Sequence, residues 1–140
     1  LAEVFILGSL RRGHAVEQFL GPWSSAERPG VRYVEVRPAK ASYEVYLHAV
    51  EDVGSESFLD LGEFPPLDPD EEADEFGRFL GMAEDPLAAL IIAEDRTGAE
   101  RGRWVNENVV QDEYRDFVRA GRPPKFSPEG LQWPRGSDVL

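Results

Sequence analysis

YEVYLHAVEDVGSESFLDLGEF, residues 43 to 64, carries the clearest strand signal in this chain of 140 residues. Tyr43, Val45, Leu47 and Ala49 alternate with Glu44, Tyr46, His48 and Val50, the two-residue period of a strand with unlike faces. VGSES then turns the chain into a second apolar run, Phe58 to Phe64, and the pair reads as an antiparallel hairpin. A hairpin in mid-chain breaks any regular βαβ repeat. The prediction is therefore one α+β domain with a mixed or mainly antiparallel sheet under two to three helices.

Working outward, the alternation of Val31, Tyr33 and Glu35 with Arg32, Val34 and Val36 predicts a strand that Pro38 ends. AEVFILG, residues 2 to 8, reads as a short buried strand, and Ser9 as the cap of a helix over 10–20 that Gly21-Pro22 stops. Downstream, Asp68-Pro69-Asp70-Glu71 has the signature of a helix start, with Ala73, Phe76, Phe79 and Leu80 as an inner stripe up to Met82. LAALIIA, 87–93, is apolar throughout, as in a central strand covered on both faces. Val105, Val109, Val110, Tyr114, Phe117 and Val118 recur at helical steps, predicting a helix over 105–119 capped by Asn106. The predicted order is β-α-β-β-β-α-β-α. The domain spans 1–121, and 122–140 is a Pro-rich tail, extended or disordered unless Phe126, Leu131 and Trp133 dock.

Composition bounds the partner. Asp and Glu number 27 against 15 Lys and Arg, a formal charge of −12, so nucleic acid and anionic membranes are repelled and a basic protein is attracted. Cysteine is absent, which excludes disulfides, thiolate chemistry and Cys-ligated zinc. No apolar run has the length of a membrane span, and Arg11 and Arg12 follow the first apolar run where a cleavage site of small residues would stand, so the expected compartment is the cytoplasm. Trp23 and Trp133 sit in Pro-rich stretches, where a ring anchors a contact with a partner or with its own domain.

If residues 2 to 8 are a strand, Gly8, Ser9 and Leu10 form a strand-to-helix turn whose amide N–H groups, with Arg11 beside them, could hold a small anion. It is neither a P-loop nor a dinucleotide fingerprint, because the required Lys and later glycines are missing. Leu7-Gly8-Ser9-Leu10 followed by Arg-Arg-Gly resembles the substrate loop of gamma-glutamylcyclotransferase-like proteins, and Leu59-Asp60-Leu61-Gly62-Glu63-Phe64 resembles part of their catalytic stretch. That resemblance implies an enzyme with Glu63 as general acid/base. Leu7 stands where the family has Tyr, and Phe64 where it has Gly.

His14 and His48 stand 34 residues apart in no metal-binding pattern, and the acidic run 68–75 has Ala73 where a calcium loop needs Gly, so no metal or cofactor is expected. No Gly-x-Ser-x-Gly elbow supports a serine triad. Without a complete catalytic constellation, the chain reads as a small binding protein that meets a basic partner, as an inhibitor or immunity protein does. Its contact surface is expected on acidic helix faces: Asp70, Glu71, Asp74 and Glu75 on one, Asp112, Glu113 and Asp116 on the other. A structural subunit or stable domain of a larger assembly, a homo-oligomer among the options, is the third reading.

Overall fold

A computed structural model describes residues 2–23, 28–67 and 77–124. Among them the chain runs through α1 (Glu3–Arg11), β1 (Val16–Pro22), β2 (Gly30–Pro38), β3 (Tyr43–Glu51), β4 (Arg78–Ala83), α2 (Pro86–Thr97), β5 (Val105–Asn106) and α3 (Val110–Arg119). The strands form one five-stranded sheet in the order β4-β3-β2-β1-β5, antiparallel at every pairing. The α+β class read from the mid-chain hairpin signal is thus the class of the fold.

β2 and β3 form the longest ladder, from Gly30↔Glu51 to Pro38↔Tyr43, with Val34 opposite Leu47. Alternation along β2 sends Val34 and Val36 to one side and Val31 and Tyr33 to the other. The first side is closed by Ile6 and Leu10 of α1, by Ala89, Leu90 and Ala93 of α2, and by Trp104. On the second, Phe19, Val31 and Val50 meet Val110, Tyr114 and Phe117 of α3 together with Leu61 and Phe64. The sheet is the middle layer between two small cores.

Several elements differ from the sequence expectation. Of residues 2–8, expected as strand, Ala2 is the N-cap of α1 and 3–8 belong to that helix, where Ile6, Ser9 and Leu10 face inward at helical spacing and Glu3 and Arg11 suit the two ends of the helix dipole. The helix expected over 10–20 gives way to β1, in which Val16 and Gln18 are wholly buried on one side while Phe19 fills the core on the other. Phe58–Phe64 is no strand: Leu61–Glu63 is a single 3-10 turn capped by Asp60, whose carboxylate accepts from the Gly62 N–H at 3.1 Å. Of the helix expected from Asp68 to Met82, residues 68–76 lie outside the described residues, and Arg78–Ala83 is β4.

LAALIIA, expected as the central strand, lies in α2. Asp85 caps that helix by accepting from the Ala88 N–H at 3.1 Å, Pro86 opens it, and Gly98 ends it at φ 78° in the left-handed region. Seven apolar residues in a row fit a buried strand and a buried helix equally well, and only these flanking caps distinguish the two. The helix expected over 105–119 starts later. Asn106 lies in β5 rather than at a cap, and α3 begins at Val110 after Val109. At the end of the described chain, Arg122 donates to Asp52 at 2.8 Å and to the Gly54 carbonyl at 2.6 Å, while residues 125–140 of the predicted tail lie outside the described residues.

Candidate functional site

The residues proposed from sequence do not converge. Gly8, Ser9 and Leu10 sit inside α1, where backbone N–H groups are spent on intrahelical hydrogen bonds, so the expected anion-holding turn is replaced by helix. Ser9 is buried and donates its hydroxyl to the Asn106 Oδ1 at 2.9 Å, Leu10 is core, and Arg11 is exposed in the last turn. Glu63 is an exposed residue of the 3-10 turn, whose Leu61 and neighbouring Phe64 belong to the α3-side core, whereas Leu10 belongs to the α1-side core. With the sheet between them, the Gly8–Leu10 backbone and Glu63 share no site.

The acidic surface is also redistributed. Asp70, Glu71, Asp74 and Glu75 lie outside the described residues. On α3, Asp112 is exposed and pairs with Arg115 at 3.6 Å, and Asp116 is half-buried. Glu113 turns toward the sheet, where it accepts from the Phe19 N–H at 3.4 Å. Burial pushes its carboxyl up to about 7.

What the fold does assemble is a row of polar and aromatic side chains on the α3 side of the sheet, beyond the end that α3 covers. Two-residue spacing places Tyr33, Glu35 and Arg37 on this side of β2, and Glu44, Tyr46 and His48 on this side of β3. Glu35 is the hub. It accepts from Arg37 through both carboxylate oxygens, at 2.8 and 3.2 Å, and lies 2.9 Å from His48 Nε2. The His48 ring stacks on Tyr33 with centroids 4.4 Å apart. The Arg37 guanidinium lies 4.7 Å over the Tyr46 ring, and the Tyr46 hydroxyl donates to Glu44 at 2.8 Å.

Glu17 of β1 stands directly opposite Glu35 in the ladder. Burial works to raise the Glu35 carboxyl, but the hydrogen bonds from His48 and Arg37 outweigh it and hold that carboxyl below the usual range. Glu17 accepts from the Asn108 N–H at 2.7 Å and is in no ion pair among the described residues. Burial, reinforced by the charges of Glu35 and Glu107, pushes its carboxyl up to about 7. Burial likewise pushes the Tyr33 hydroxyl well above its ordinary value.

At the far end of this face, Phe79 and Met82 of β4 lie opposite Tyr46 and Glu44. A register shift between Val45 and Tyr46 lets both point the same way although they are three residues apart. Phe79 meets Tyr46 edge-on, 5.7 Å between centroids, yet it is 49% exposed and Met82 is 56% exposed. This end of the sheet is open to solvent. Tyr, Phe, Met and Arg are the side chains enriched in protein interfaces, and here Arg37, Tyr46 and Phe79 adjoin one another with Met82 and Glu44 beside them.

None of Glu17, Tyr33, Glu35, Arg37, Tyr46, Phe79 or Met82 stood out as functional in the sequence. The alternation in β2 and β3 could have shown that Tyr33, Glu35, Arg37, Tyr46 and His48 share sheet faces; the strand neighbours and the register shift could not be read. No helix among the described residues is long and apolar enough to cross a membrane. No protein-family model, curated protein or solved structure matches the chain.

Proposed function

We propose that this protein acts by binding a basic protein partner, and that it does so through the open end of the α3-side sheet face rather than through the outer faces of its helices. The observation that carries the reading is the half-exposed pair Phe79 and Met82 beside Tyr46, flanked by Glu44 and by exposed Glu84. Exposed apolar side chains supply the contact area, and the carboxylates select a cationic surface and speed its approach, as does the net charge of −12. The proposal sets this contact in the cytoplasm, where a chain without cysteine relies on its core alone.

The test is affinity capture on immobilised protein at about 50 mM and about 0.5 M salt, since screening shortens the reach of surface charge. A basic protein retained at low salt, released at high salt and lost with a Phe79→Ser/Met82→Ser double variant supports the proposal. Asp112→Asn/Asp116→Asn should retain it equally. Retention that follows the α3 variant instead moves the contact back to the helix, and the absence of any salt-sensitive basic partner rejects the proposal.

A further inference from the structure

β4 and β5 are the two edges of the sheet, and they are protected very differently. β5 is two residues long, and Asn106 on it is held by the Ser9 hydroxyl of α1. β4 has six residues, about 20 Å of backbone, and among the described residues no strand pairs with its outer side. Natural edges are blunted by Lys, Pro, inward charges or bulges. On β4 the blunting consists of Arg78 at the first position and the register shift beside Gly81. Its inner side is occupied by Leu80 and Ala83, which pack on the α1-side core, so the strand is anchored firmly while, among the described residues, its outer N–H and C=O groups have no strand partner.

The charge around this edge is mainly negative. Glu44 lies opposite Met82, and exposed Glu84 and Asp85 follow the strand, against Arg78 alone. We infer that an extended, Arg- or Lys-bearing segment of another protein docks as a sixth strand along β4, its backbone paired with the free edge and its cationic side chains over Glu44 and Glu84. The inference rests on the reading that the open face binds a basic partner, and it specifies how. Backbone pairing supplies affinity that is blind to side chains, while the acidic rim and the Phe79 and Met82 side chains choose what is paired.

The test uses the full chain, amide hydrogen exchange and two probe peptides, acetyl-Arg-Val-Arg-Val-Arg-amide and its Glu-for-Arg counterpart. The Arg peptide should slow exchange at β4 amides by about tenfold or more, the Glu peptide should not, and Met82→Lys should abolish the effect. Met82 is more than half exposed, so this variant keeps the fold. If β4 exchange is unchanged while the Tyr46 and His48 resonances shift with the Arg peptide, strand addition is wrong and binding to the face stands. If neither responds, both fail. Equal protection by the Glu peptide overturns the basic character of the segment.

Discussion

Glu17 and Glu35 face each other across the β1–β2 ladder, an arrangement that destabilises a sheet when both are charged. The protein resolves it by treating them differently: Glu35 keeps its charge against Arg37 and His48, and Glu17 holds its proton up to about pH 7. An unfolded Glu17 releases that proton near 4.5, so between about 4.5 and 7 unfolding releases a proton and rising pH weakens the fold. The stabilisation is complete below the lower value and is lost as pH passes the upper. Glu17→Gln should therefore match the wild type near the acid end of this window and become the more stable of the two above it. Urea unfolding across pH checks this, and a difference that does not grow with pH contradicts it. Another single atom matters on the same side of the sheet. The Tyr114 hydroxyl accepts the buried Gly54 N–H at 3.0 Å and donates to Asp52. Tyr114→Phe leaves that N–H with no acceptor, and a loss of about 1–3 kcal/mol in urea unfolding is expected.

Among the elements, α2 shows how far local chemistry determines structure. Its interior LAALIIA is silent about period, but Asp85, Pro86 and Gly98 bracket it with an N-cap, a first-turn proline and a left-handed stop. Asp85→Ala removes the side chain that accepts the Ala88 N–H and should cost about 1 kcal/mol, measured by thermal or urea unfolding, whereas Asp85→Asn should recover most of it. β1 shows the opposite case. Val16 and Gln18 point to one core and Phe19 to the other, so both faces of the strand are buried and the apolar spacing imitates a helix. Gln18, wholly buried, is accounted for only by a distant partner: it accepts from the Glu100 N–H at 2.9 Å and donates to the Glu100 carbonyl at 3.0 Å.

At the scale of the whole molecule, the segment of Arg101 and Trp104 ties α2 to α1. Trp104 is fully buried in the α1-side core, and its indole N–H donates to Glu94 of α2 at 3.1 Å. Arg101 clasps the same carboxylate through two hydrogen bonds of 2.6 Å and reaches Glu3 of α1 at 2.8 Å. Trp104→Ala should cost about 3–5 kcal/mol, with α1 the first element to lose hydrogen-exchange protection. Trp104→Phe, which keeps most of the packing and loses the hydrogen bond, should cost less. Equal losses in the two variants would place the weight on the Glu94 contact instead of the ring.

The sequence by itself determined the α+β class, the acidic character and the two central strands, because β2 and β3 alternate at a period that only a pleated ribbon satisfies and Pro38 interrupts them. It could not determine α1 or β1. Short apolar runs there fit either period, and the choice falls to partners far along the chain, Asn106 for Ser9 and Glu100 for Gln18, whereas α2 is told from a strand only by its local caps Asp85, Pro86 and Gly98. The candidate face was even less legible, since Glu17, Glu35, His48 and Phe79 come from four strands and meet only when the order β4-β3-β2-β1 is set. The tertiary structure alone decided which carboxylates turn inward. Glu113 of α3, expected on an outer contact face, and Glu17 of β1, which the sequence did not single out, are both desolvated, and that is what changes their chemistry.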